Sequence, residues 1–147
     1  MKQYELFTIG YEGRGIDEFV DRLKSFNITR LIDVREIPLS RKKGFSKSTL
    51  GQRLKDEHIE YIHEKPLGSP AEIRKKLKSD WDYGYFFKAY TKYLSGNMNA
   101  VRKVHEYLFE GATCIMCFER SPDKCHRSVV ADKIKEYDGN GLKIEHI

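Results

Sequence analysis

What this sequence lacks narrows it first. No apolar run approaches the roughly 18 residues of a membrane span, so a soluble chain with no membrane partner is expected. The leading residues, Met1-Lys2-Gln3-Tyr4-Glu5, run into a strand-like segment without the apolar stretch and small-residue cleavage site of a secretory signal, so a cytoplasmic location is expected. Cysteine occurs three times, an odd number. That count argues against a disulfide framework, and free thiols are expected in a reducing compartment unless they bind metal or do redox work. Dinucleotide and phosphate-loop fingerprints are missing too: Gly10-Tyr11-Glu12-Gly13-Arg14-Gly15 is neither G-x-G-x-x-G nor a Walker loop, so no cofactor is expected. Internal repeats and low-complexity stretches are also absent.

What is present describes one folding unit. At 147 residues, with 39% hydrophobic and 33% charged side chains, residues 1–147 read as a single globular domain with enough chain to bury a core. The 27 Lys and Arg exceed the 22 Asp and Glu by five. Much of that excess sits in Arg41-Lys42-Lys43 through Lys55 and in Arg74-Lys75-Lys76-Leu77-Lys78. Such patches suit an anionic partner or line solvated helix faces.

Hydrophobic periodicity alternates between strand and helix. Leu6-Phe7-Thr8-Ile9 is a short apolar strand stopped by Gly10; Ile16, Phe19, Val20, Leu23 and Phe26 recur at helical spacing; Leu31 to Arg35 makes a second strand. Those three elements predict a βαβ unit. A helix is expected over 46–57, capped by Ser46 or Ser48, and a strand over Ile59 to His63. After a turn at Pro66 to Pro70, three helices follow over 71–78, 83–94 and 97–109. Thr113 to Phe118 is a continuous apolar strand of the doubly buried kind, followed by a helix over 128–137 and an edge strand over 142–146. The pattern predicts an α/β fold, a Rossmann-like three-layer domain with a mostly parallel sheet flanked by helices.

In such sheets ligands gather beyond the carboxyl ends of the strands. The loop after the first strand offers Gly10, Tyr11 and Arg14, its glycines permitting close backbone approach to a ligand or simply a tight turn. After the second strand, Asp33 and Arg35 share a strand face, where they orient each other, share a ligand or close the sheet edge as an ion pair; Ser40 and Arg41 follow.

The third loop, Cys117 to Arg127, carries the most reactive groups. Cys114 and Cys117 form a C-x-x-C on paper, but residues three apart on a strand face opposite sides, so neither one shared metal nor a redox pair is expected, and Cys114 is assigned to the core. A phosphatase-type loop needs Arg six residues after its nucleophilic Cys, and position 123 is Asp123. With Ser121 or Asp123 as cap, Cys125 falls in the first turn of the next helix, where amides and dipole attract anions and favour a thiolate. His126 becomes a candidate acid or base and Arg127 a candidate anion clamp. Against this stands ordinary packing, since His126 shares a helical face with Val129 and Val130. Cys117, Glu119, Cys125 and His126 form a weaker zinc candidate whose spacing fits none of the usual structural patterns, so no metal is assigned. His63, at a strand end, reaches toward the same crevice, and the aromatic cluster of Trp81, Tyr83, Tyr85, Phe86 and Phe87 divides between core packing and stacking on bases.

These residues carry a resemblance. The chain resembles the proteins of domain of unknown function family 488 through Thr8-Ile9-Gly10-Tyr11, Gly13-Arg14, Asp33-Val34-Arg35, Pro38 with Ser40-Arg41, Phe45, Ile59 to His63, Leu67-Gly68, Cys117 with Glu119, and Cys125-His126-Arg127. Ser69 departs from the pattern, which usually has a second glycine there. The resemblance implies a Rossmann-like α/β domain and a shared polar cluster, with no established activity; labels connected with DNA repair on some relatives fit a basic chain.

The leading expectation is a small enzyme acting on a phosphate-bearing substrate, a nucleotide or nucleic acid. Glu119 and His126 would handle protons, and Asp33 would orient a partner or a metal. Gly10, Tyr11, Arg14, Arg35, Ser40, Arg41, Cys125 and Arg127 would contact substrate. The competing expectation is a non-catalytic nucleic-acid-binding module built on aromatic residues with Arg41, Lys42, Lys43, Lys47, Arg53 and Lys55. A thiol or zinc protein is the third.

Overall fold

The computed structural model describes residues 5–147. The reading of Met1 to Tyr4 as a strand approach without a signal lies outside these. Five strands, β1 (Glu5–Gly10), β2 (Arg30–Asp33), β3 (Glu60–His63), β4 (Thr113–Cys117) and β5 (Lys143–His146), pair in the order β3-β2-β4-β1-β5. Every pairing is parallel. Six helices flank them: α1 (Ile16–Ser25), α2 (Lys47–Asp56), α3 (Ala71–Asp80), α4 (Tyr83–Ser95), α5 (Met98–Tyr107) and α6 (Arg127–Asp138). The expected three-layer α/β architecture is observed. Among the described residues, no helix is long and apolar enough to cross a membrane.

The centre of the sheet follows from burial. All five residues of β4 are buried, and β4 pairs with β1 on one side and β2 on the other. This is where a strand without exposed polar positions belongs. The sequence-predicted βαβ unit is therefore looser than expected: β1 and β2 are parallel members of one sheet, but β4 lies between them. β3 and β5, half-buried to exposed, form the edges.

Strand alternation sorts the core into two layers. Phe7, Ile9, Leu31, Cys114 and Met116 pack against Phe19, Val20 and Leu23 of α1 and Leu50 and Leu54 of α2. Leu6, Ile32, Ile115 and Cys117 pack against Tyr90 and Leu94 of α4, Val101 and Val104 of α5, and Val130 and Ile134 of α6. Each such side chain removed from water contributes roughly 1.5–3 kcal/mol before entropy is counted. The helix α3 has no buried residue. It sits at the margin of the core, free to wall a cleft rather than fill one.

Local deviations have local causes. Ser46 precedes α2 as expected but does not cap it; its Oγ accepts from Ser40 N at 3.0 Å and donates to Ser40 O at 3.1 Å, closing the loop after β2. β2 ends at Asp33 rather than Arg35 because the amide of Arg35 turns to donate to Asp33 Oδ1 at 3.1 Å.

Candidate functional site

The connections leaving β1 and β2 run to the α1–α2 layer, while the one leaving β4 runs to α6 on the other side. Neighbouring loops therefore diverge at the carboxyl end of β4, the arrangement that opens a crevice in a parallel sheet. An open cleft of about 900 Å³ lies there, within the size range of ligand sites. Its floor comes from all three strand-end loops, through Tyr11, Arg35, Glu119 and His126. Its outer wall is supplied by Arg74, Leu77, Lys78 and Trp81 of α3 and its end, which fold over the strand termini.

The β2 wall is a charge-matched network. Asp33 is fully buried and takes Arg35 in a fork, with Nη2 to Oδ2 at 2.6 Å and Nε to Oδ1 at 2.9 Å. Tyr61 on β3 donates to the same Oδ2 at 2.5 Å, and Arg35 Nη1 donates to Tyr11 Oη at 3.2 Å. Burial works against the charge on Arg35, but its hydrogen bonds to Asp33 and the Asp33 charge outweigh burial and hold it above its ordinary value. Burial and the Asp33 carboxylate likewise push the Tyr61 hydroxyl up. With Arg35 and Tyr61 bound to it, Asp33 orients Arg35, whose guanidinium also lies over the Tyr11 ring, 5.3 Å from its centroid. Tyr11 in turn stacks on Phe45 with centroids 4.5 Å apart.

The β4 wall is built differently. Beyond the ladder, Tyr11 N and Glu12 N still donate to Cys117 O and Phe118 O, so the tail of β1 carries the loop after β4 across its top. Gly10 makes this possible: a Cβ there would stand 1.8 Å from Glu119 O. Arg127, 1% exposed, holds the loop from below. Its Nε donates to Thr8 Oγ1 at 3.1 Å, Nη2 to Arg120 O at 3.0 Å, and Nη1 to Glu119 O and, at 3.2 Å, to Cys117 Sγ. No carboxylate pairs with Arg127 among the described residues, and burial lowers its pKa to about 10.

Beside Arg127, the sulfur atoms of Cys117 and Cys125 are bonded, their Cα atoms 7.3 Å apart. The expectation of three free thiols is corrected on this point; only Cys114 is free. The expected opposition of Cys114 and Cys117 is observed, since the two fall in opposite core layers. Cys125 is not in the first turn of a helix, as expected from spacing. A single 3₁₀ turn over Pro122–Lys124 intervenes, Cys125 is extended, and α6 begins at Arg127 with His126 before it. Its sulfur instead accepts from Arg127 N at 3.4 Å.

His126 is 7% exposed. Its Nε2 lies 2.7 Å from the carbonyl of Val34, which can only accept, so Nε2 carries the hydrogen and Nδ1 presents a lone pair 3.8 Å from Cys125 Sγ. Burial, with the charges of Arg127 and Arg74, pulls its pKa down to about 4 against that hydrogen bond. Nε2 is committed to Val34 O and burial holds the ring against protonation, which suits His126 less to moving protons for a ligand in the cleft. Glu119 is better suited: burial raises its carboxyl above the usual range, so it holds a proton at higher pH than an exposed acid does.

Of the residues singled out from sequence, Tyr11, Arg35, Glu119 and His126 share the cleft, as does Glu12. Asp33, Gly10 and Arg127 stand directly behind it and build its walls. Arg127 spends its donors on the loop and on Thr8. Arg14 turns away, donating to Gly10 O and Ile147 O at 3.1 Å each. Ser40 is occupied by Ser46 and Lys42, and Arg41 is exposed outside the cleft. His63 reaches the back of the β2 wall, 2.7 Å from Arg35 O.

Sequence reasoning does not single out Arg74, Trp81, Arg120 and Lys124 as site residues, although Arg74 lies in the basic run and Trp81 in the aromatic cluster visible in sequence. Trp81 is 63% exposed and left-handed, φ 53°, an uncommon conformation for a bulky residue. Arg74 Nη2 binds Glu36 Oε1 at 3.0 Å, and Gly68 allows that junction to close: a Cβ there would meet Glu36 N at 2.3 Å.

Neither the curated proteins nor the solved structures include a match to this chain. The family model described as Domain of unknown function DUF488 matches residues 15–134, from the start of α1 to late in α6, and the chain therefore belongs to that family.

Proposed function

We propose that this chain, acting as one domain over residues 1–147, is a small enzyme whose substrate is a nucleotide or a nucleotide unit of nucleic acid, bound in the cleft at the carboxyl end of β4. One observation carries the reading. Arg35, Arg74, Arg120 and Lys124 meet exposed rings, Trp81 and Phe118, around the half-buried carboxyl of Glu119. Cations bind phosphate, rings stack on bases, and a carboxyl with a raised pKa exchanges protons at higher pH than an exposed acid does. Core packing requires none of these three at a strand end.

The roles follow from position. Arg35 spends its Nε–Nη2 edge on Asp33, which orients the remaining N–H groups of Nη1 and Nη2 for a phosphate oxygen. Arg120 and Lys124 line the cleft from the loop after β4, and Arg74 comes from α3 opposite. Glu119 is the acid–base residue. A turnover screen over nucleoside phosphates and short oligonucleotides is expected to find a substrate whose conversion falls at least about a hundredfold in Glu119→Gln, in line with loss of a general acid or base. Conversion unchanged by that substitution contradicts the assignment.

A second reading, binding without turnover, is favoured by the α2 side of the molecule. Arg41, Lys43, Lys47 and Lys55 are exposed and make no ion pair with the described residues, whereas Arg53 is tied to Asp17 and Glu57. Nucleic acid held by that surface is released as salt rises and is indifferent to Glu119→Gln.

A further inference from the structure

We infer that, once a thiol reductant has cleaved the Cys117–Cys125 bond, Cys117, Cys125 and His126 form a site for a thiolate-preferring divalent cation of the Zn²⁺ class at the floor of the cleft, with a fourth coordination position facing Glu119. The inference does not rest on the nucleotide reading, and its test needs no substrate.

The two sulfurs and an imidazole nitrogen all lie within 4.8 Å of one another and are all buried. A tetrahedral ion bound through Zn–S of about 2.3 Å and Zn–N of about 2.0 Å places neighbouring donor atoms roughly 3.5–3.8 Å apart. Cys125 Sγ and His126 Nδ1 are 3.8 Å apart, and Glu119 Oε2 is 3.6 Å from Cys117 Sγ. Those two edges already have the spacing of a coordination shell. The Cα atoms of Cys117 and Cys125 stand 7.3 Å apart, wider than the roughly 4.4–6.8 Å that disulfides span. Two thiolates on one ion need a longer bridge than two sulfurs bonded to each other, and this separation suits it.

The surroundings match as well. Metal-bound histidines donate their second ring N–H to a fixed acceptor, and His126 Nε2 does so to Val34 O at 2.7 Å, leaving Nδ1 free to ligate. Adjacent residues rarely converge on one ion. Here the break between the 3₁₀ turn and α6 leaves Cys125 extended and His126 helical, and their donor atoms do converge. Arg127 N donates to Cys125 Sγ at 3.4 Å and Arg127 Nη1 to Cys117 Sγ at 3.2 Å, bonds that favour thiolate over thiol.

Charge closes the argument. A divalent ion with two thiolates and a neutral imidazole is neutral, and a carboxylate or hydroxide in the fourth position makes it −1. That single negative charge is what Arg127, buried without a carboxylate partner among the described residues, lacks. Loading the reduced chain releases two protons, one from each thiol, and involves no oxidant or reductant. Cys117, Glu119 and His126 line the cleft, so the fourth position opens to it, as in catalytic rather than structural zinc sites.

The test uses the full chain, reduced, stripped with chelator and titrated with Co²⁺ and Zn²⁺. Expected are about one ion per chain, an intense near-ultraviolet sulfur-to-cobalt band displaced by Zn²⁺, and at least tenfold weaker binding in Cys117→Ser and Cys125→Ser. Cys114→Ser should keep the band. A reduced wild-type chain with three titratable thiols and no such band overturns the inference, as does equal binding by the double variant Cys117→Ser/Cys125→Ser. If the serine variants fail to fold, the wild-type spectrum decides alone: a saturable thiolate band supports the site, and its absence removes it.

Discussion

Arg35 and Arg127 are both arginines buried at the carboxyl end of the sheet, one behind each wall of the cleft, and they are satisfied in opposite ways. Arg35 faces a carboxylate, Asp33, and its proton is held more tightly than in water. Arg127 faces carbonyls, a hydroxyl and a sulfur, and burial lowers its pKa to about 10. The first wall is complete without a ligand. The second carries a buried positive charge with no carboxylate on it among the described residues, beside two sulfurs and a neutral imidazole. A cation without a matched anion is expensive to bury unless something else supplies the charge. The difference points to the β4 wall as the side where an anionic or metal-bound group belongs, and to the β2 wall as a rigid support.

Breaking the matched wall should cost most. Asp33→Ala leaves Arg35 and Tyr61 without their shared acceptor, and removing one member of a buried pair costs about 3–5 kcal/mol, read as a lower denaturant midpoint. A loss below about 1 kcal/mol would mean that Arg35 swings to solvent and that the wall is not rigid.

Disturbing the other wall through its backbone comes next. Gly10→Ala drives a methyl group into Glu119 O, and we expect a loss of about 3 kcal/mol with displacement of the loop after β4, seen as amide shift changes at Phe118 to Arg120. Unchanged shifts there would show that β1 rather than the loop gives way.

Acid separates the walls by pH. In the metal-free chain with Cys117 and Cys125 bonded to each other, the folded pKa of His126 is about 4, against 6.5 in an ordinary histidine. Below pH 6.5 the unfolded chain takes up a proton that buried His126 refuses, so stability falls as pH drops toward 4 and this contribution then levels off. The span amounts to roughly 3 kcal/mol. The raised carboxyl of Glu119 acts in the opposite sense, favouring the folded chain as it protonates. His126→Gln should flatten the acid limb, and an unchanged limb would assign it to other groups.

The smallest effect falls on the third cysteine. Cys114 sits among Leu31, Met116 and other hydrocarbon side chains, and burial pushes its thiol up. Cys114→Ser buries a hydroxyl there and should cost about 1–3 kcal/mol without altering the chemistry of Cys117 and Cys125.

Much of the fold can be read from period alone. The unbroken apolar run at 113–118 announces the central strand, and helical spacing announces α1 and α5. Period fixes which face a residue takes, as it does for Cys114 and Cys117, but not which strands become neighbours, so the insertion of β4 between β1 and β2 is not legible. At the site, the strand-end rule brings Tyr11, Arg35, Glu119 and His126 forward because three loops after three parallel strands must share one end of the sheet. Arg74 and Trp81 escape it. They arrive on α3, from the β3–β4 connection, and nothing local in their sequence records that this helix folds over the strand ends. The meeting of Cys117 with Cys125 depends on a 3₁₀ turn and on Arg127 drawing the loop down, which spacing does not encode.

The central claim, that the cleft takes a nucleotide-class ligand, has a built-in reporter. Trp81 is the only tryptophan in the chain and stands exposed on the cleft wall. Titrating the full chain with nucleoside phosphates and short oligonucleotides while following tryptophan fluorescence should give a saturable change, weakened about tenfold or more in Arg74→Gln, the loss of roughly one charge-assisted contact. A flat signal for every such ligand up to millimolar concentration, from a chain shown to be folded, contradicts the account.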